Sequence, residues 1–552
     1  ALTFNATPTT GYSVNQWLVD GTVAQSGGTS FTLSNITANH SLQVTFAINQ
    51  YTVTPGAGSN GTISPNTPQT VVYQGALTFN ATPATNYTVN QWLVDGTVAQ
   101  TRGASFTLNN ITANHTVQVT FSLATAVLTA VGQDYTGALA ALVAVSNDGA
   151  GNTWSTKTIT GLPNNSAFVS ASCTGSDATA ICAAAGYTNA SGTIFPLLVV
   201  STDGGNTWAI KTITGFTTQG NLQGVNCIGT GSTAICVATG EESLVGGGDG
   251  PAIIAVSVDG GNTWNTKPVT GLSSAGFFQP VSCTGTGSTA ICVAAGEDVT
   301  GTYPPQIAVS TDGGNTWAIK TLDGITTIGQ FYSVSCTGTG ITAICAAVGA
   351  DNGGSSQPPI LTVSTDGGNT WVAQTIQGTT VNGYLMGVSC TGTGITTICA
   401  AAGGTTDTQE PLIAASTDGG NTWTKQVATN LPSTGDFSMV SCTGTGNNAI
   451  CTAAGQRLDN YGPLIVSSTD GANTWTTNSI PGLTTTGQFN SASCTGSGAS
   501  AICTAAGHQD FSSSSPPILV ISTDGANTWA IKNIPDLPAT GNFGSTGATG
   551  GN

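Results

Sequence analysis

From residue 123 onward the chain repeats one short box eight times, and this repetition leaves few folds open. The box reads Ser-Thr-Asp-Gly-Gly-Asn-Thr-Trp, and successive box tryptophans are 52–56 residues apart. Each period also contains four short apolar strands. A period near 53 residues with four strands is typical of a propeller blade. We therefore predict an all-β chain whose residues 123–552 form an eight-bladed β-propeller with four-stranded blades.

All 14 cysteines of the chain fall into seven pairs of identical C-x8-C spacing. Zinc sites favour shorter spacings with a second ligand pair, so we predict no zinc site. Seven disulfides formed in an oxidising compartment are the natural interpretation, and reduced cysteines acting as small apolar strand residues are the alternative. The predicted disulfides are Cys173–Cys182, Cys227–Cys236, Cys283–Cys292, Cys336–Cys345, Cys390–Cys399, Cys442–Cys451 and Cys494–Cys503.

The box resembles the Asp-box, S-x-D-x-G-x-T-W, of BNR or sialidase-like propellers, and seven of its eight copies keep the full spacing. In that family the box forms the turn between the third and fourth strands of a blade. The resemblance implies a structural role: the Asp accepts backbone N–H groups and the Trp covers the gap between neighbouring sheets. The residues concerned are Asp148, Trp154, Asp203, Trp208, Asp259, Trp264, Asp312, Trp317, Asp366, Trp371, Asp418, Trp423, Asp470, Trp475, Asp524 and Trp529.

The same resemblance places each cysteine pair on the first and second strands of a blade. Each disulfide then closes a hairpin of about ten residues, a stabilisation of about 2–3 kcal/mol in the chain-entropy model. In blade 1, Leu128 aligns with the second cysteine and Ala548 with the first. We therefore expect the C-terminal strand to complete blade 1 and to close the ring without a disulfide; a disordered C-terminal tail is the alternative.

Two further repeats precede the propeller, at residues 1–47 and 48–122. Residues 1–46 align with residues 76–121, and 37 of these 46 positions are identical. Alternating segments such as Val117–Phe121 predict half-buried strands. From Tyr-Thr-Val through Trp-Leu-Val-Asp-Gly to Val-Thr-Phe, residues 51–121 resemble the internalin-type B repeat of bacterial surface proteins. That resemblance implies small β modules acting as stalks or spacers.

The first repeat lacks the counterpart of residues 51–75, and a β module without these strands has an unpaired edge. Either upstream sequence completes it, or another chain supplies the strand. The second alternative is β-strand complementation, which would build a filament.

Charge excludes two classes of partner. The chain has 8 Lys and Arg against 25 Asp and Glu, and its net charge is −17. Nucleic acids and anionic membrane surfaces both require basic residues, so we expect neither as a partner. No apolar run approaches the roughly 18 residues of a membrane span.

Acidic and aromatic residues concentrate in the segments between the second and third strands of the blades. Such a rim has the chemistry to bind sugars or calcium, and a rim of solvated loops is the plainer alternative. No D-x-[DN]-x-[DN]-G loop is present, so we predict no metal site and no cofactor, with calcium a weak alternative. The predicted rim comprises Glu241, Glu242, Asp249, Glu297, Asp298, Tyr303, Asp351, Asp407, Glu410, Asp459, Tyr461 and Asp510.

Sialidases hold their substrate with an arginine triad, and this chain has only Arg102 and Arg457. A sialidase is therefore disfavoured. Other glycosidases need only two carboxylates, but no pair stands out in the rim, so we assign no catalytic residue.

Taken together, these patterns predict an extracellular or cell-surface protein of bacterial type with a structural or adhesive role and no enzymatic activity. Its expected partners are other copies of itself or other surface proteins. A glycan-binding propeller is the first alternative, and a glycoside hydrolase is the second.

Overall fold

The computed structural model describes residues 1–552 except 85–86, 138, 217–218, 245–247, 326–327, 354–356, 380–381, 484–485, 510–514 and 550–552. The described chain forms two compact units, one spanning Ala1–Ala124 and one beginning at Thr125. None of its described helices is long and apolar enough to cross a membrane.

The first repeat consists of two small sheets, with strand orders β1-β4 and β3-β2-β5. Its buried hydrophobic cluster contains three residues, Val14, Trp17 and Phe31. The indole N–H of Trp17 donates to the carbonyl of Gly28 at 3.0 Å, which ties the core to a glycine turn. The strands are β1 (Leu2–Asn5), β2 (Tyr12–Val19), β3 (Thr22–Ser26), β4 (Ser30–Leu33) and β5 (Leu42–Ile48).

The second repeat has the same plan with three more strands. Its strands are β6 (Gln50–Ala57), β7 (Gly61–Ser64), β8 (Gln69–Val72), β9 (Gly75–Pro83), β10 (Tyr87–Val94), β11 (Thr97–Thr101), β12 (Ser105–Ile111) and β13 (His115–Leu123). The sheet orders are β11-β10-β13-β6-β8 and β12-β9-β7. Strand β6 runs parallel to β13, and β7 runs antiparallel to β9.

The second unit is the predicted eight-bladed propeller. Blade 1 contains β14 (Leu128–Asp134), β15 (Ala141–Ser146) and β16 (Ser155–Thr156), and blade 2 contains β17 (Ser166–Thr174), β18 (Ile181–Ala190), β19 (Thr193–Ser201) and β20 (Ala209–Ile210). Blade 3 contains β21 (Ile213–Thr214), β22 (Gln219–Ile228), β23 (Ile235–Leu244), β24 (Gly248–Ser257) and β25 (Trp264–Thr266). Blade 4 contains β26 (Val269–Thr270), β27 (Gly276–Thr284), β28 (Ile291–Asp298), β29 (Pro305–Ser310) and β30 (Trp317–Ile319), and β31 (Leu322–Asp323) follows as part of blade 5.

The other strands of blade 5 are β32 (Gly329–Thr337), β33 (Ile344–Asp351), β34 (Pro359–Ser364) and β35 (Trp371–Ala373), and blade 6 contains β36 (Ile376–Gln377), β37 (Gly383–Thr391), β38 (Ile398–Thr405), β39 (Pro411–Ser416) and β40 (Trp423–Gln426). Blade 7 contains β41 (Ala428–Thr429), β42 (Gly435–Thr443), β43 (Ile450–Arg457), β44 (Pro463–Ser468) and β45 (Trp475–Thr477). Blade 8 contains β46 (Gly487–Thr495), β47 (Ile502–Gln509), β48 (Pro517–Ser522) and β49 (Ala530–Ile531), and β50 (Gly541–Ala548) returns to blade 1.

The four main strands of each blade are antiparallel, and the first of them lies at the central channel. Blade 2, for example, has the order β17-β18-β19-β20. Five blades gain a two-residue strand that pairs in parallel with the fourth strand, as β21 does with β25. These short parallel strands were not predicted from the sequence.

The seven disulfides join directly opposite residues of the first and second strands. Cys173 faces Cys182 in the β17–β18 register, and the same spacing recurs in blades 3 to 8. The Cα atoms of every pair are 4.1 Å apart. Each hairpin between these strands holds a short 3-10 helix, namely Asp177–Thr179, Gly231–Thr233, Gly287–Thr289, Gly340–Thr342, Gly394–Thr396, Gly446–Asn448 and Gly498–Ser500.

Blade 1 is built from both ends of the propeller. Its order is β16-β15-β14-β50, and β50 pairs antiparallel with β14. The backbone N–H of Val127 donates to the Thr549 hydroxyl, and the N–H of Thr549 donates to the Val127 carbonyl, both at 2.8 Å. The ring is therefore closed by hydrogen bonds between residues more than 400 positions apart in sequence.

The box turn joins the third and fourth strands of its blade. In blade 2, Asp203 accepts hydrogen bonds from the Thr207 N–H at 2.9 Å and from the Ser201 hydroxyl at 2.8 Å. The indole N–H of Trp208 donates to the Gly205 carbonyl at 3.1 Å. Trp208 packs in a cluster with Val145 of blade 1, so the box also fills the gap between blades.

One glycine of each box lies against the third strand of the preceding blade. A Cβ on Gly420 would lie 2.9 Å from the nearest methyl carbon of Val363. In boxes seven and eight this glycine is Ala472 or Ala526, both with positive φ. Register places the residue facing Ala472 at Ala415, where blade 5 has Val363. The extra methyl group of the box alanine is thus matched by a smaller neighbour.

Candidate functional site

The predicted rim residues lie on one face of the propeller, but many are in strands rather than loops. Glu241 and Glu242 lie in β23, and Asp249 lies in β24. The reason is that the second and third strands continue pairing past the predicted level, with Ser243 opposite Asp249. Glu297 and Asp298 end β28, and Asp351 ends β33. Asp510 lies outside the described residues.

Several rim acids are occupied by local structure. The carboxylate of Asp407 accepts from the Asn382 N–H at 3.2 Å. That of Glu410 lies 3.8 Å from the Lys425 ammonium, and that of Asp459 lies 2.8 Å from the Arg457 guanidinium. These contacts tie the three carboxylates to neighbouring groups of the same face.

The aromatic rim residues Tyr303 and Tyr461 lie in loops and are 48% and 58% exposed. Among the glutamates, burial raises the pKa of Glu241, although the Asn221 amide donates to it at 2.9 Å. Burial also raises the pKa of Glu297. These four residues are spread over blades 3, 4 and 7.

A recess of about 350 Å³ opens on this same face, across blades 5, 6 and 7. It adjoins the central channel, a cavity of about 740 Å³ that first strands from all eight blades line. The residues lining the recess include Tyr332, Asp351, Gln357, Tyr384, Met386 and Asp436.

At the centre of the recess, the Tyr384 hydroxyl donates to Oδ2 of Asp436 at 3.2 Å. The two residues occupy the second position of neighbouring first strands, β37 and β42. Opposite Tyr384 in the β37–β38 register stands Gly404. A Cβ at Gly404 would lie 3.1 Å from both the Tyr384 hydroxyl and the Asp436 Cβ, so glycine leaves the space that the tyrosine uses.

Burial controls the ionisation of this pair. It raises the pKa of Asp436, although hydrogen bonds from Tyr384 and Gln456 act in the opposite direction. Burial, together with the nearby Asp436 charge, raises the pKa of Tyr384 to about 12. The phenol therefore stays protonated at neutral pH and serves as a donor.

A second carboxylate, Asp351, lines the same recess and is 7% exposed. Its Oδ1 accepts the Gly353 N–H at 2.8 Å. The neighbouring Gln357 is held by its backbone N–H, which donates to the Asn382 side chain at 2.8 Å. The recess thus has a fixed wall of polar groups beside its tyrosines.

Tyr384, Asp436 and Gly404 lie within strands and therefore outside the segments between strands from which the rim was predicted. A signal was present in the aligned blades. In every first strand a Phe or Leu recurs, while the residue directly before it varies. This variable position holds Ala167, Asn221, Phe277, Gln330, Tyr384, Asp436, Gln488 and Asn542.

Within the described residues, no three His, Cys, Asp or Glu side chains gather closely enough to hold a metal ion. The lining of the recess, as far as it is described, contains no Lys, Arg or His. The positive charges lie elsewhere, since the six lysines all follow box tryptophans by two or three residues: Lys157, Lys211, Lys267, Lys320, Lys425 and Lys532.

A search of curated proteins finds no match to this chain. Among solved structures, one of YCF48 bound to a D1 peptide is 16% identical, with a TM-score of 0.36, and the match covers 66% of this chain and 93% of that chain. The α-L-arabinofuranosidase Arb93A from Fusarium graminearum, in complex with an iminosugar inhibitor, is 15% identical, with a TM-score of 0.32, 52% of this chain and 88% of that chain covered. The family model of the divergent InlB B-repeat domain matches residues 1–50 and 51–125, so the first unit is similar to that family of repeats.

Proposed function

We propose that this is an extracellular adhesive surface protein whose propeller binds a neutral glycan in the recess around Tyr384 and Asp436. The repeats of the first unit would act as a spacer. The observation that carries the proposal is the composition of this recess, in which two tyrosines, two carboxylates and side-chain amides line one open cavity.

The geometry suits a sugar of one or two residues. A volume of about 350 Å³ lies within the range of small-molecule sites. The faces of tyrosine rings pack against apolar C–H surfaces, while the phenol, carboxylate and amide groups exchange hydrogen bonds with hydroxyl groups. Because Tyr384 is already hydrogen-bonded to Asp436, its ring has a defined position before a ligand arrives.

Charge favours a neutral ligand over an acidic one. The described lining offers two carboxylates and no cation, and the whole chain has a net charge of −17. An anionic sugar would lose its hydration without gaining an ion pair.

An extracellular location is supported by the seven disulfides, because such bonds persist in oxidising environments. The similarity of residues 1–125 to InlB B-repeats points in the same direction.

The test is a glycan array with the full chain and two variants, Tyr384→Phe and Asp436→Asn. We expect binding to neutral glycans and a loss of at least about tenfold in each variant, the effect of about 1.4 kcal/mol. Tyr303→Phe and Tyr461→Phe, outside the recess, are the matched controls and should bind as the wild type does. Absence of glycan binding, or equal binding by all variants, would contradict the proposal.

A second candidate, a glycoside hydrolase, is favoured by one observation. Asp436 has a raised pKa, as a general acid requires, and Asp351 lines the same recess. The test is release of reducing sugar from any glycan that binds. Hydrolysis by the wild type that disappears in Asp436→Asn, measured at a glycan concentration high enough to saturate the variant, would establish this activity, and binding without hydrolysis by the wild type would exclude it for that glycan.

A further inference from the structure

The recess and the central channel share part of their walls. Three residues, Tyr332, Met386 and Ser438, line both cavities. They occupy the same position, the fourth of the first strand, in the neighbouring blades 5, 6 and 7. A molecule that lies in the recess against these side chains can therefore extend into the channel.

The channel is polar but uncharged. No Asp, Glu, Lys, Arg or His lies among its described lining residues, although the whole chain contains 25 acidic residues. The lining includes five side-chain amides, those of Asn221, Gln223, Asn226, Gln279 and Asn490. An ionic group in the channel would lose hydration without gaining an ion pair, whereas amides both donate hydrogen bonds to hydroxyl groups and accept them.

Serine hydroxyls of the channel are held by the neighbouring blade. The hydroxyl oxygens of Ser170, Ser282 and Ser545, all half-buried in the lining, accept a backbone N–H of the next blade at 3.1, 2.9 and 3.3 Å. A hydroxyl whose oxygen accepts in this way can still rotate its hydrogen towards another acceptor. These serines therefore offer donors to the ring and hydroxyl oxygens of a sugar.

We propose that the channel holds the end of a linear neutral oligosaccharide whose neighbouring sugar residues occupy the recess. This inference rests on the proposed function of the recess and adds the form of its ligand. Because first strands of all eight blades surround the channel, a chain enters it end first. The channel has about twice the volume of the recess, about 740 against about 350 Å³, so it has room for about two to four further sugar residues.

The probes are linear neutral oligosaccharides of the gluco, manno, galacto and xylo series, and the measurement is calorimetric titration of the full chain. In a series that binds, we expect the hexasaccharide to bind at least about tenfold more tightly than the disaccharide. Gln223→Trp, which fills the channel from blade 3, should abolish this gain. Val372→Trp, at a position of the fourth strand of blade 5 that is 48% exposed, is the matched control and should keep the wild-type gain.

Two further variants separate the channel from the recess and from the fold. Gln223→Leu keeps the approximate size of the side chain and removes its amide, so it should lower the gain at least about twofold even where a tryptophan is not accommodated. Tyr384→Phe, in the recess, should weaken the binding of both oligosaccharides by the same factor.

The outcomes distinguish this inference from the proposed function. A hexasaccharide that binds no more tightly than the disaccharide, or a gain that both Gln223 variants leave intact, would overturn the inference while the recess remains a glycan site. Absence of binding in all four series would overturn the proposed function and the inference with it.

Discussion

Leu128 of β14 lies directly opposite Ala548 of β50, at the register that a disulfide occupies in each of the other seven blades. Both cysteines of the blade are replaced together, and the two residues that stand in their place are buried or nearly so. The blade that joins the two ends of the propeller is thus the one held without a covalent bond.

We predict that Leu128→Cys combined with Ala548→Cys forms an eighth disulfide. The equivalent Cα atoms are 4.1 Å apart in the other blades, and the new bond would close a loop of about 420 residues. The chain-entropy model sets an upper limit of about 6 kcal/mol for the added stability. A rise in the melting temperature of the oxidised variant over the wild type would confirm this. Each single cysteine variant is the control, and a double variant that stays reduced or gains no stability would contradict it.

A second prediction concerns the contact between Gly420 and Val363. Gly420→Ala should cost about 1–3 kcal/mol, because φ is +83° and the new methyl group meets the valine. In a chain that already carries Val363→Ala, the cost of Gly420→Ala in unfolding free energy should be smaller by at least about 1 kcal/mol, as the natural Ala472 and Ala415 pair implies. The measurement is a double-mutant cycle by denaturant unfolding. Strict additivity of the two costs would show that the matched sizes are coincidental.

The box aspartates predict a loss of stability in acid. Partial burial opposes the shift, but hydrogen bonds from Thr153, Ala150 and Ser146 lower the pKa of Asp148 to about 2. A pKa that is lower in the folded chain stabilises it above about pH 4, and this contribution disappears as the pH falls towards 2. Wild type and Asp148→Asn should therefore differ most in melting temperature near pH 6 and converge near pH 2. A difference independent of pH would refute the assignment.

A larger side chain at Gly404 would fill the recess while Tyr384 and Asp436 themselves stay unsubstituted. Its backbone conformation is accessible to any residue, and the equivalent position in blade 7 is Gln456. Gly404→Gln should displace the Tyr384 hydroxyl and abolish glycan binding, with little change in melting temperature. His508→Gln, at the same register of blade 8, tests whether glutamine itself is tolerated. Unchanged glycan binding by Gly404→Gln would place the ligand elsewhere.

The fold was largely predictable because its determinants are local and repeated. Each box and each C-x8-C pair specifies one turn or one hairpin within about ten residues, and eight repetitions fix the blade count. The eight-bladed propeller predicted from these repeats is confirmed. The short parallel strands such as β21 were not predicted, since two-residue pairings leave no periodic signal.

The candidate site was harder to predict because it depends on neighbours in space rather than in sequence. Tyr384 and Asp436 are 52 residues apart and meet only because β37 and β42 are adjacent first strands. Gly404 contributes by lacking a side chain, which no motif reveals. The carboxylates of the predicted rim acids Asp407 and Asp459 contact nearby loop groups, and a role for them in ligand binding stays a prediction.

The closure of blade 1 affects the order in which the propeller folds. Seven hairpins are each closed by two cysteines nine positions apart, so each can fold and oxidise without the rest of the chain. Blade 1 must wait for residues 541–548, so until then an open arc of seven blades exposes β14 on one side and the apolar face of blade 8 on the other. Pairing of β50 with β14 closes the ring, whereas an arc that stays open leaves both edges free to pair with other chains.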